Sequence, residues 1–306
     1  MKRILLPTDF SDNAYNAIRY AMQFFRNEEC TFYLLHTFTP TSYNIGYLIE
    51  NPMPYGLEDI AMINSNREIE HIETKIKEEF DNPKHSFERI SAFNMLINEI
   101  KDTVDRYNID LIVMGTKGTT AAKEIFIGTH TMYTIKNVTC PVLAVPSGFE
   151  FEEPKEILFP TDYYLSPTNK YLPFIKDICN NHTSRLHILN AYYGVPLNQN
   201  QENIKDFIDN YFTDNAHIFH IADGMDVLEA IEDFQKMNII NMLVMVHNKH
   251  SFFENLLFKP VINQIAHHTN IPFLIIPSEK RIGTDKKNNP NSLKTGKKEN
   301  QDMVVE

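Results

Sequence analysis

Cysteine is scarce in this sequence. Cys30, Cys140 and Cys179 are the three cysteines in 306 residues, and no two of them are spaced as CxxC. Such a small, odd number in a long chain excludes a disulfide framework and indicates a reducing compartment, so a cytoplasmic location is expected. No metal site is predicted, because no cysteine or acidic residue is spaced to complete a set that His247 and His250 could begin.

Long apolar segments and excess positive charge are also missing. No stretch approaches the ~18 uninterrupted apolar residues of a membrane-spanning helix, and the N-terminal segment, interrupted by Pro7 and Asp9, is a poor signal peptide. The formal net charge is −11, whereas nucleic-acid-binding domains carry basic surfaces. We therefore expect a soluble protein whose partners include neither a membrane nor nucleic acid.

Motifs of ATP-using enzymes are absent too. The sequence has no Walker GxxxxGK[ST], no Rossmann GxGxxG and neither SGGxDS nor HxGH. An enzyme of a related ATP-using fold, such as an adenylating ligase, is thus an alternative that no motif supports.

Internal repetition is what the sequence does contain. Residues 2–9 and 155–162 both run from a short apolar strand into Pro-Thr-Asp, at an offset of 162 − 9 = 153. Residues 110–115 likewise resemble residues 241–246, at an offset of 241 − 110 = 131. A chain of this length fits two domains of ~150 residues. The predicted units are domains at 1–148 and 153–278 and a disordered, Lys- and Asn-rich tail at 279–306.

Apolar periodicity predicts strands alternating with helices in both halves. The first half, for example, should contain a helix from Asp12 to Phe25 and strands at Thr31 to Phe38 and Phe87 to Ser91. Alternation of this kind implies a parallel sheet covered on both faces. The predicted fold class is α/β, with two tandem doubly wound domains, each a five-stranded parallel sheet flanked by helices.

One loop carries three of the ten glycines. Gly115 and Gly118 follow a strand, and after nine intervening residues Gly128 with Thr129 begins a predicted helix. Glycines let a backbone approach polyphosphate closely and adopt positive φ, and a helix start offers unpaired N–H groups. The loop is predicted to be a phosphate cradle built from backbone. The alternative is that its glycines serve only tight turns.

These motifs together resemble the universal stress protein family. The resemblance rests on Pro-Thr-Asp-Phe-Ser at 7–11, Leu-Leu-His at 34–36 and the glycine loop at 115–129, and it extends over both halves. It implies a Rossmann-like, adenine nucleotide alpha hydrolase-like fold with ATP, alone or with Mg²⁺, between the first and fourth strands. The implied ligand residues are Pro7, Thr8, Asp9, Thr37, Met114, Gly115, Lys117, Gly118, Gly128, Thr129 and His130.

Within that set, the resemblance puts Asp9, the Thr37 backbone and Met114 beside the base and ribose, and the glycines and Thr129 at the phosphates. A carboxylate suits ribose hydroxyls because it accepts hydrogen bonds; the alternative for Asp9 is a helix-capping acid. His36, inside an apolar strand, is interpreted as a core histidine rather than a catalytic one.

The second half departs from the loop pattern. Val246 stands where the first half has Gly115, Lys249 replaces Gly118, and Lys259 and Pro260 replace Gly128 and Thr129. Side chains block close approach of the backbone and Pro260 removes a donor. We therefore expect a degenerate, structural copy.

The favoured function is an ATP-binding module in stress response or signalling, with an unidentified protein partner. The alternative is a scaffold without a nucleotide, in which both copies serve assembly. Catalysis is expected to reach at most slow ATP hydrolysis or autophosphorylation, because no general base is visible. Family members pair through their final strand, so residues 142–145 and 273–276 are expected to form an internal pseudo-dimer, with further pairing into a homodimer left open.

Overall fold

The computed structural model describes residues 1–39, 57–116, 128–192, 196–247 and 271–277. Strands and helices alternate along both halves. The first half contains β1 Lys2–Pro7, α1 Asp12–Phe24, β2 Cys30–Phe38, α2 Leu57–Phe80, β3 His85–Phe93, α3 Leu96–Tyr107, β4 Leu111–Gly115, α4 Thr129–Asn137 and β5 Val142–Val145. The second half contains β6 Glu156–Pro160, α5 Leu172–His182, β7 Arg185–Tyr192, α6 Gln199–Tyr211, β8 His217–Asp223, α7 Val227–Met237, β9 Met242–His247 and β10 Phe273–Pro277.

The strands form one sheet in the order β3-β2-β1-β4-β5-β10-β9-β6-β7-β8. Counted within its own half, each set of five strands has the same order, and its neighbours are parallel. The halves meet where β5 and β10 pair antiparallel, with Leu143 opposite Leu274. The predicted fold class, two tandem doubly wound parallel sheets, is confirmed.

Side-chain alternation along the buried strands builds a core on each face of the sheet. On β1, Ile4 and Leu6 join one apolar cluster and Leu5 joins the other, and all three are fully buried. The first cluster includes Ile18 of α1, and the second includes Ile100 of α3. Because helices cover both faces, the strands read as continuous apolar runs.

The first helix of each half begins differently. In α1, the Ser11 hydroxyl caps the helix by accepting a hydrogen bond from the Ala14 N–H (3.2 Å). In α5, Pro173 lies in the first turn, where a missing N–H costs nothing. The position equivalent to Asp12 is Leu165 (12 + 153), so this helix starts later than its counterpart.

One tertiary hydrogen bond occurs at equivalent positions in the two halves. The Asn16 side-chain amide donates to the carbonyl of Pro146, just after β5 (3.2 Å). The Asn169 amide donates in the same way to the carbonyl of Pro277, at the end of β10 (3.3 Å). The two halves therefore share local packing as well as strand order.

Candidate functional site

The strand order reverses between β1 and β4. From β1 the chain adds β2 and β3 on one side, then crosses over to add β4 and β5 on the other. Ile4 lies opposite Leu111 in the parallel β1–β4 pair, so the carboxyl ends of these strands, at Pro7 and Gly115, border the same crevice. Doubly wound sheets bind ligands at such switch points.

A tight turn after β1 presents Asp9. The Thr8 N–H donates to the Leu35 carbonyl of β2 (2.8 Å), and the buried Thr8 hydroxyl accepts from the Phe10 N–H (3.0 Å). Phe10 has a φ of 64°, which is uncommon for a bulky residue. Asp9 is exposed, and its Oδ1 accepts from the N–H (3.1 Å) and hydroxyl (2.5 Å) of Ser11. The helix cap itself is Ser11, so Asp9 stabilises the turn rather than the helix.

Gly115 is required by internal packing. A Cβ atom at this position would lie 2.6 Å from the side-chain nitrogen of Asn13 and 2.7 Å from its backbone oxygen. The expectation of a positive φ at Gly115 is wrong, because the described glycines with positive φ are Gly148 and Gly224. The glycine instead lets the first turn of α1 approach the end of β4.

The start of α4 is fixed beside Gly115. The Thr131 hydroxyl donates to the Gly115 carbonyl (3.1 Å), which holds the first turn of the helix against the end of β4. Gly128 is the N-terminal cap, with φ −56° and ψ 149°, and Thr129 and His130 are exposed. The first N–H groups of a helix have no intrahelical acceptor, and its dipole favours anions there.

The other residues of the predicted site differ in burial, and two of them are not described. Thr37, half-buried near the end of β2, pairs with Ala92 of β3. The Met114 side chain is buried in the second apolar cluster, so its backbone rather than its thioether lies nearest the crevice. Lys117 and Gly118 lie outside the described residues.

Two polar residues beside Gly115 are not among the site residues predicted from the sequence. Asn13 Oδ1 and Thr116 Oγ1 are buried, and neither finds a hydrogen-bond partner in the described part of the chain. Unpaired buried polar atoms are uncommon and call for an explanation. A sequence offers no signal for them, because Asn13 meets Gly115 only after the sheet has formed.

His36 lies at the same edge, on the face of β2 towards α2. Its Nδ1 is 2.7 Å from the hydroxyl of Ser65 on α2, and the Ser91 hydroxyl of β3 donates to Ser65 (2.5 Å). The ring centroids of His36 and Phe10 are 4.3 Å apart. Burial lowers the pKa of His36, although the charge of Asp9 acts in the opposite direction. His36 is half-buried rather than enclosed in the core, and its ring contacts the Ser65 hydroxyl at hydrogen-bonding distance.

The second half repeats the turn in a more enclosed setting. The Thr161 hydroxyl accepts from the Tyr163 N–H (3.0 Å), and Tyr163 has a φ of 57°. Asp162 accepts from the Tyr164 N–H (3.1 Å), and burial raises its pKa. The cavity beside Asp162 has a volume of only about 20 Å³, and its lining includes Val227 of α7.

The equivalent of Gly115 in the second half is Val246, which packs against the first apolar cluster. A valine at the end of β9 fills space where β4 leaves room for Asn13. Lys249, Lys259 and Pro260, the other replacements in this loop, lie outside the described residues.

Comparison with known proteins identifies the first half. The model of the universal stress protein family matches residues 1–146. The universal stress protein MJ0531 of Methanocaldococcus jannaschii is 27% identical over 146 residues, which are 47% of this chain and 81% of that protein. A second universal stress protein of the same organism, MJ0577, is 28% identical over 152 residues, 47% of this chain and 94% of that protein.

Residues 1–146 belong to the universal stress protein family. A solved universal stress protein from Archaeoglobus fulgidus extends the likeness across both halves. It covers 90% of this chain and 98% of its own, with a TM-score of 0.65 and 15% identity. At that identity the likeness concerns the fold alone.

None of the helices in the described ranges combines the length and hydropathy needed to cross a bilayer. The same ranges hold no group of three or more His, Cys, Asp or Glu side chains arranged to bind a metal ion.

Proposed function

We propose that the first half binds ATP, alone or with Mg²⁺, and that the chain acts as a nucleotide-dependent module in stress response or signalling. One observation carries this: the Asp9 turn, the end of β4 at Gly115 and the start of α4 at Gly128 border one crevice at the switch point. A surface carboxylate suits ribose hydroxyls, and a helix start suits phosphate. Membership of residues 1–146 in the universal stress protein family supports the proposal.

Gly128 adds a second line of support. Its φ of −56° and ψ of 149° are open to any residue, so the cap conformation does not require a glycine. What the glycine provides is a helix start without a side chain over its N–H groups. In the second half, Lys259 occupies the equivalent position.

We propose one nucleotide site per chain, with residues 153–278 as a structural domain that pairs with residues 1–148 in an internal pseudo-dimer. The cavity beside Asp162, about 20 Å³, is far below the ~300 Å³ at which ligand pockets begin. Val246 also closes the position where the first half has a glycine.

A scaffold without a nucleotide is the second candidate, and a specific contact favours it. The approach of Asn13 accounts for Gly115 without a ligand, and Asp9 already accepts hydrogen bonds from Ser11. In that case both halves would serve only assembly and partner binding.

Calorimetry with ATP on the full chain separates the two candidates. We expect one site per chain in the natural protein and loss of binding in Gly128→Lys, because the new side chain takes the space over the α4 N–H groups. Gly128→Leu tests the same space without added charge. Thr213→Lys, at an exposed position in the second half, adds the same charge far from the crevice and should bind normally.

Two equal sites per chain, or unchanged binding in Gly128→Lys, would contradict the proposed site. Absence of ATP binding in the natural chain would favour the scaffold. Mass spectrometry of any nucleotide released from the purified protein would identify the form bound in the cell.

A further inference from the structure

His36 links three elements to the turn that presents Asp9. The residue lies on β2, its Nδ1 contacts Ser65 of α2 at 2.7 Å, and Ser65 in turn accepts a hydrogen bond from Ser91 of β3 at 2.5 Å. Its ring lies 4.3 Å from the ring of Phe10, centroid to centroid. Phe10 directly follows Asp9, so the His36 ring contacts the turn that presents Asp9.

The hydrogen bonds favour one protonation state of this ring. Because the Ser91 hydroxyl donates to Ser65, the Ser65 proton is available for donation to His36 Nδ1. In that arrangement Nδ1 accepts and the ring is neutral, with its proton on Nε2. A second proton on Nδ1 would turn an acceptor into a donor and displace the Ser65 proton.

The second half anchors its turn from the same position with a different residue. Pro7 pairs with Leu35 in the first half, and Pro160 pairs with Leu189 in the second, so Asn190 is the equivalent of His36. The Asn190 amide donates to the carbonyl of Thr161 (2.9 Å). Both halves thus contact the Thr-Asp turn from this strand position, through rings in the first half and a hydrogen bond in the second, but only the first half does so with an ionisable side chain.

We propose that His36 is a positioning residue of the nucleotide site: in its neutral form it holds the turn that presents Asp9, and its protonation weakens nucleotide binding. This inference rests on the proposed function. It assigns to the first half a pH dependence that the second half lacks, because an asparagine at position 190 has no proton to gain.

The groups facing the ring decide the sign of the effect. Asp9, on the turn, is the charged group that acts on His36 among the described residues. Ser65 and Ser91 are neutral hydroxyls, and Arg89, two residues earlier on β3, is paired with Glu70 and Glu73 of α2. A positive ring attracts the Asp9 carboxylate away from a ribose and loses the hydrogen bond from Ser65, so acid should weaken binding.

The test is ATP calorimetry on the full chain between pH 8 and pH 5.5, with His36→Asn as the matched variant because asparagine stands at position 190. Phosphate protonation of ATP affects both proteins equally, so it cancels in the comparison. With each protein compared to its own affinity at pH 8, we expect the loss of affinity on acidification to be at least about threefold larger in the natural chain than in His36→Asn, since one unit of pKa coupling corresponds to a tenfold change in affinity.

Ser65→Ala and an NMR measurement give independent readouts. Removal of the Ser65 hydroxyl takes a donor from the neutral ring, so the pH midpoint of binding should move upward. In ¹H–¹⁵N spectra of the natural chain, the imidazole signals that disappear in His36→Asn should show a protonated Nε2 and a bare Nδ1 at pH 8.

Equal pH profiles for the natural chain and His36→Asn, or a protonated Nδ1 at pH 8, would overturn this inference and leave ATP binding intact. An unmoved midpoint in Ser65→Ala would overturn it as well. A chain that binds no ATP at any pH overturns the proposed function and this inference together.

Discussion

Gly115→Ala tests whether the contact between β4 and α1 governs the stability of the first half. The added Cβ would lie 2.6 Å from Asn13 Nδ2, 2.7 Å from the Asn13 backbone oxygen and 2.9 Å from its Cγ. A Cβ atom does not come so close to a non-bonded backbone oxygen, so the helix must move away from the strand. Overpacking of this kind costs about 1–3 kcal/mol, and we expect a loss of that size in urea unfolding followed by circular dichroism.

The double variant separates the clash with the side chain from the clash with the backbone. Asn13→Ala removes Nδ2 and Cγ but leaves the backbone oxygen in place, so Gly115→Ala should be less harmful on the Asn13→Ala background, with a coupling of roughly 0.5–3 kcal/mol. Gly148→Ala is the control, because Gly148 has a φ of 69° and an added Cβ there would meet no atom within 4 Å. Its cost comes from backbone strain and should not change with Asn13.

Two results would refute this reasoning. One is a Gly115→Ala variant as stable as the natural chain. The other is a cost that stays the same with and without the Asn13 side chain, which would show that the side-chain contact does not limit the approach of α1.

Two further predictions concern titratable groups. Burial raises the pKa of Cys30, Cys140 and Cys179 to about 12 each, so none should react with a thiol reagent at pH 8 until urea unfolds the chain, and one rapidly modified thiol in the folded protein would contradict this. Burial acts to lower the pKa of His217, but its hydrogen bond to Asp209 (2.8 Å) acts in the opposite direction, and the pKa is raised overall. The contribution of protonated His217 to the stability of the folded chain is then complete below the unfolded pKa of ~6.5. It disappears as the pH rises through the folded pKa. Asp209→Asn should therefore lower the urea midpoint at pH 5.5 and leave it nearly unchanged at pH 9, whereas an equal loss at both pH values would point to packing instead.

The fold follows from local signals that the sequence displays plainly. The helix predicted from Asp12 to Phe25 is found at Asp12–Phe24, because the Ser11 cap and the apolar face are both encoded nearby. The strand expected at Phe87 to Ser91 is longer, His85–Phe93, because its pairing with β2 continues past the apolar residues. Pairing partners extend a strand in a way that periodicity does not reveal.

The site is less predictable because its contacts join distant parts of the chain. The role of Gly115 depends on Asn13, which is about a hundred positions earlier, and the sequence suggested a positive φ instead. The hydrogen-bonded contacts that join His36, Ser65 and Ser91 likewise form only when β2, α2 and β3 lie in the correct register. The motifs point to the segments at the carboxyl ends of β1 and β4, but they do not reveal the side chains that fix the geometry there.

The antiparallel pairing of β5 and β10 has a consequence for how the two halves can change. Because one polypeptide supplies both strands, the halves meet at an effective concentration of the order of millimolar, whatever the dilution of the protein. Neither half has to compete for a partner, and each always faces the same one. The second half is therefore free to carry Val246 where the first half needs a glycine, while it still completes the sheet of the first.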